Sequence, residues 1–178
     1  IYYKIMETVK LIQNNKVIKK AIIVFLGTIL LTISAKVKIP FYPVPMTMQT
    51  FVVIFLGMCF GYKLGLATVA LYLIEGIVGI PVFSNSPEKG VGMIYFTGPT
   101  MGYLLGFIIA VYMAGKFNFS KNYLLNFIKI FFSVLPIYVL GLIWLGILIG
   151  WDKPIFDLGA KPFLLCLLYT SPSPRDRY

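Results

Sequence analysis

Few side chains in this 178-residue chain could make or break a bond. There is no histidine, and Glu75 is the single acid inside an apolar run. Acid–base catalysis within a membrane calls for a histidine or paired carboxylates, so the pattern speaks against an enzyme. Cys59 and Cys166 form no CxxC pair and support neither a zinc site nor a disulfide framework. What the chain offers is recognition. Gln49 and Asn85 carry amides that donate and accept, while Phe41, Tyr42, Phe83 and Tyr103 can supply walls and a hydroxyl. Each has a plainer reading: a helix cap or interhelical bond for Gln49, a turn for Asn85, packing or an interfacial belt for the aromatics. Thr47 reads as the N-cap of a helix. Glu75 reads as a span-end residue facing solvent or as an intramembrane carboxylate paired with a lysine.

The elements that must position these residues are membrane helices. Hydrophobic residues make up 59% of the chain and charged ones 12%, about half the charge of a soluble domain, and the apolar residues come in long blocks. The expected fold class is an all-α membrane protein, a polytopic six-helix transmembrane bundle. Spans are expected at about 17–37, 47–60, 64–80, 98–114 and 124–151, with a sixth opening at LLCLL and apparently truncated. Between the first two lies IPFYPVPMTM, whose three prolines forbid regular helix and favour an extended segment. The second span is short for a bilayer, so it should begin inside a protein-lined cavity. Gly61, Tyr62 and Lys63 should form a tight turn, and Pro136 a kink. Gly98, Gly102 and Gly106 recur every fourth residue, a spacing for close helix packing.

The net charge of +10 points to the membrane surface, not nucleic acid, because the lysines sit between apolar blocks and form no single basic face. With a cytoplasmic amino terminus, inside segments hold nine lysines against five outside, which favours that orientation at a cell membrane. The outside five are Lys36, Lys38, Lys89, Lys153 and Lys161. Three regions follow: a basic cytoplasmic segment, 1–16; a transmembrane substrate-binding domain, 17–165; and a tail, 166–178, whose CLLYTSPSPRDRY reads as foreign sequence joined to the chain. The lysines before the first span, with no small-residue cleavage site after it, indicate a retained helix and not a signal peptide.

Three segments resemble, in order and spacing, the BioY family, the biotin-specific S components of energy-coupling factor (ECF) transporters: AKVKIPFYPVPMTMQTFVV, GYKLGLATVALYLIEGIVGIPVF and FTGPTMGYLLGF. The resemblance implies six transmembrane helices, a pocket open to the outside and no chemistry on the substrate. It implies as partners biotin, membrane lipid, and the transmembrane coupling subunit and two ATPases that drive import. The absence of a G-x-x-x-x-G-K-[ST] loop from this chain agrees with ATP hydrolysis elsewhere. No cofactor is expected; biotin is the transported ligand. Met101 departs from the family's GPTGGY, and SNSPEKGVG replaces a loop that is often glycine-rich. The family's sixth helix opens on a GDLxK-type motif whose Asp and Lys contact biotin; here PFLL runs into CLLYTSP and lacks them.

On that resemblance, Gln49 and Asn85 are the candidates for the ureido or carboxylate group of biotin, and Phe41, Tyr42, Phe83 and Tyr103 for its ring. The family's coupling contact implies small residues on the first helix, for which Gly27, Thr28, Thr32 and Ala35 are the nearest candidates. The alternatives are an S component for another vitamin, against which PVPMTMQT and GIPVF speak, a truncated non-functional fragment, and a channel, for which no filter or charged ring is evident.

Overall fold

The computed structural model describes residues 16–39, 46–88, 90–117 and 122–150. Helix α1 (Lys16–Lys36) leads into a two-residue strand, β1 (Lys38–Ile39), which pairs antiparallel with β2 (Met46–Thr47). Then follow α2 (Gln49–Val78), a single turn α3 (Met93–Phe96), α4 (Met101–Lys116) and α5 (Tyr123–Ile149). The bundle is all-α, with the short ribbon zipping the two ends of the proline-rich loop. Residues 40–45, and with them the candidates Phe41 and Tyr42, lie outside the described residues, as do the tail and the sixth span.

The long helix α2 is two helices. Its backbone breaks at Gly61, whose φ of 74° and ψ of 169° leave the helical region and whose positive φ suits a residue without a Cβ. A straight helix would hold Gln49 and Tyr72 about 34 Å apart at about 1.5 Å per residue, yet the Gln49 amide donates to the Tyr72 hydroxyl at 2.6 Å. The chain therefore folds back at Gly61 into a helical hairpin. Glycine on both limbs lets α4 approach: a Cβ on Gly65 would stand 2.7 Å from a Val111 methyl, and one on Gly57 2.8 Å from the Val111 carbonyl oxygen. The break is confined to Gly61, so Tyr62 and Lys63, expected in a turn, are already helical. The first limb, from Gln49 to Gly61, spans only about 18 Å, well short of a hydrocarbon core of about 30 Å. As the sequence requires, it starts inside protein: Gln49 is buried.

Three helices, α1, α2 and α5, are long and apolar enough to cross a membrane, and α4 is a shorter apolar helix; the chain is a multi-pass membrane protein. Helix α2 packs chiefly on α4, α4 on α5, and α1 on α2. The core gathers Leu31, Val53, Val69, Tyr72, Phe83 and Val111, all within 1% of full burial. Outer faces stay apolar, as in lipid they must: Phe25, Leu26, Phe51, Phe127 and Ile147 are exposed. Hydroxyls at membrane depth are satisfied by their own helix, Thr32 donating to the Thr28 carbonyl, Thr68 to Leu64 and Ser133 to Lys129.

The glycine stripe acts as packing, in part. A Cβ on Gly102 would meet the Leu140 backbone oxygen and Trp144, and one on Gly106 the backbone of Ile137 and Pro136. Helix α4 thus lies backbone to backbone on α5, which continues through Pro136 as one helix. Gly98 stands outside this seam: α4 begins at Met101, and the Gly98 carbonyl accepts from the Trp144 indole at 2.9 Å. Two other expectations are corrected. Met48, not Thr47, occupies the N-cap of α2, and the Thr47 hydroxyl instead donates to the Gln49 side-chain oxygen at 3.3 Å. Glu75 accepts from the Thr28 hydroxyl at 3.1 Å and pairs with no lysine among the described residues.

Candidate functional site

The polar candidates collect at one end of the bundle. The end of α1, the ribbon, the start of α2 and the segment after α2 all meet there. Helix α2 stops at Gly79, whose φ of 103° turns the chain away, with Ile80 donating back to the Glu75 carbonyl. The chain then runs through Val82, Phe83, Ser84, Asn85 and Ser86, all buried. A loop buried this deeply needs partners for its backbone groups, and lysines supply them. Lys36 donates to the carbonyls of Phe83 at 2.9 Å and Ser86 at 2.8 Å. Lys38 donates to the Ser84 carbonyl at 3.0 Å and to the Asn85 side-chain oxygen at 3.2 Å. Glu88 stands 3.9 Å from Lys38 and is 80% exposed, so it neutralises little of that charge. Two cations, Lys36 exposed and Lys38 partly buried, thus face mainly carbonyl dipoles, a setting that favours an anionic or carbonyl-bearing visitor.

Beneath them lies an aromatic floor. Phe83 stacks on Tyr95 with ring centroids 4.5 Å apart, and takes Tyr72 and Phe96 edge-on at 5.4 and 5.5 Å. Its ring is seated against Gly76, where any Cβ would collide with it. Gln49 joins this floor by a relay. Its amide nitrogen donates to the Tyr72 hydroxyl, which donates to the Val82 carbonyl at 3.0 Å.

Of the six site residues expected from sequence, the structure brings Gln49, Asn85 and Phe83 together at this end. Phe41 and Tyr42 lie outside the described residues. Tyr103 is half-buried and turned toward α5, its ring over Gly141 and edge-on to Tyr138 at 6.3 Å. Sequence reasoning missed Tyr72, Tyr95, Lys36 and Lys38 as members. The two lysines register in the sequence only as loop charges. A usable signal existed for Tyr72: Gln49 and Tyr72 sit nearly equidistant from Gly61, which a hairpin brings level. Of the small residues expected at an intermolecular contact, Gly27, Thr28 and Ala35 are buried and Thr32 is partly exposed; Gly27 packs against Thr68 of α2.

The opposite end is built differently. Tyr62 meets Tyr112 edge-on at 5.9 Å, and Lys63 and Lys116 lie over those rings. Of the lysines weighed in the sequence, Lys36 and Lys38 thus lie at one end and Lys63 and Lys116 at the other.

Comparison with known proteins agrees on one family. The profile of the BioY family matches residues 6–169. The probable biotin transporter BioY of Pyrococcus horikoshii is 35% identical over 83% of this chain and 86% of its own length. The biotin transporter BioY of Thermotoga maritima is 34% identical over 77% of this chain and 80% of its own. Among solved structures, the S-component for biotin from an ECF-type ABC transporter superposes with a TM-score of 0.69 at 24% identity, covering 85% of this chain and 82% of that one. That likeness establishes a shared fold.

Proposed function

The chain belongs to the BioY family, and on that premise we propose that it is the biotin-capturing subunit of an ECF-type importer. It binds biotin from the outside and hands it to a transport module of one transmembrane coupling subunit and two ATPases. It works by binding, not by catalysis. The observation that carries this reading is the cluster at one end of the bundle, where the Gln49 and Asn85 amides stand beside the Phe83 floor. Biotin is an apolar bicycle with a ureido group and a carboxylate tail. Aromatic walls match the ring, the amides match the ureido group, and Lys36, exposed at the rim, suits the carboxylate.

The amino terminus is cytoplasmic in this reading, because the excess of lysine then falls inside. The site end, which carries Lys36 and Lys38, then faces out, and the end with Lys63 and Lys116 faces in. Lipid covers the exposed apolar residues of α1 and α5. Binding alone tests the capture step: the detergent-purified chain should bind biotin saturably, one to one, without nucleotide. ATP-dependent uptake should appear only when a coupling subunit and ATPases are co-expressed. A folded chain that ignores biotin while binding a different vitamin would replace this reading with that vitamin.

A further inference from the structure

The hydrogen bonds around the two amides do more than hold them. Each has one neighbour whose role is chemically fixed. An ammonium carries donors and no acceptor, so the atom that Asn85 turns to Lys38 must be its oxygen, as the 3.2 Å contact has it. The Asn85 nitrogen is thereby turned away from Lys38. The second amide is fixed by a longer chain of obligations. The Val82 carbonyl can only accept, so the Tyr72 hydroxyl spends its proton there. The hydroxyl can then only accept from Gln49, which must present its nitrogen to Tyr72. Thr47 would tolerate either end of the amide, since a hydroxyl donates or accepts; it takes the oxygen that Tyr72 leaves on its side. That oxygen keeps a second lone pair.

We infer that Lys38 and Tyr72 are positioning residues that lock the two amides in opposite senses, Gln49 as the acceptor and Asn85 as the donor. The inference rests on the biotin reading and deepens it. A cyclic urea offers N–H donors and a carbonyl acceptor in one plane, the complement of such a pair. Gln49 takes an N–H, and Asn85 gives a proton to the carbonyl oxygen. A free amide could rotate to suit either partner; a locked one rejects a ligand of the wrong polarity, because a buried donor facing a donor loses its hydrogen bond. Selectivity for a urea over a guanidine-like ring is thereby set by residues that need not touch the ligand.

The test uses biotin and 2-iminobiotin, in which an N–H donor replaces the carbonyl oxygen, with titration calorimetry on the full chain in detergent. Asn85→Asp keeps shape and the bond to Lys38 but offers only acceptors. It should weaken biotin by about tenfold or more and reverse the preference toward 2-iminobiotin. Lys38→Met should narrow the biotin preference about fivefold, and Lys38→Arg should restore it, because a guanidinium also only donates. Tyr72→Phe should narrow discrimination against ureido N-methylated biotin. Asn85→Asp with the parent's preference, or Lys38→Met weakening both ligands equally, overturns the inference. A parent chain that binds neither ligand sinks the biotin assignment and this inference together; one that binds biotin with the variants' ratios unmoved sinks the inference alone.

Discussion

The loop end and the α4–α5 seam solve opposite problems. At the seam, Gly102, Gly106 and Gly141 remove side chains so that the helices touch by backbone or by the face of Tyr103. Dispersion at close range holds it together, as suits helices in lipid. At the loop end, by contrast, side chains accumulate. Lysine ammoniums cap carbonyls, amides are oriented, and aromatic rings form a floor. The seam should respond to added volume with loss of folding, and the loop end to altered hydrogen bonding with loss of affinity. Rigidity in one region lets the other devote its polar groups to recognition.

That division can be broken by substitution. The largest effect is expected from Gly106→Val, which forces side-chain atoms against the Ile137 backbone and should cost about 3 kcal/mol or more of stability, read as a lowered thermal midpoint in detergent. Next, Gln49→Ala should lower biotin affinity by about tenfold or more, while the thermal midpoint moves little, since Tyr72 retains its bond to Val82. A smaller effect should follow Lys36→Met, which leaves the Phe83 and Ser86 carbonyls short of a donor. The Ser86 hydroxyl still serves Phe83 at 3.0 Å, so affinity should fall only about fivefold, seen as faster biotin release. Least of all, Ile33→Leu on the exposed face of α1 should change neither stability nor binding. A binding loss from Ile33→Leu equal to that from Gln49→Ala would erase the distinction between the regions.

Much of the seam could be read from sequence, less of the loop end. The described spans follow from apolar blocks, and Gly102 and Gly106 announce close packing by their spacing, because both signals are local. Gln49, Phe83 and Asn85 stand out by type at membrane depth. Lys36 and Lys38 do not, because their role is set by contacts 46 to 50 residues along the chain. Charge pattern alone cannot distinguish a lysine that anchors a loop from one that caps a buried carbonyl. Glu75 misled for a related reason: a carboxylate in an apolar run suggests a cation, but the helix crossing there delivers Thr28. Thr47 has the right type for a cap, yet pairing of β1 with β2 draws it into the ribbon and leaves Met48 at the helix start.

Biotin binding by the chain is the most direct test of the loop end as the capture site. Titration calorimetry on the purified protein should give saturable one-to-one binding of biotin, retained in Ile33→Leu and sharply weakened in Gln49→Ala with the fold intact. A folded chain that takes up no biotin, or whose Gln49→Ala variant binds it as tightly as the parent, would contradict the assignment of the loop end as the capture site.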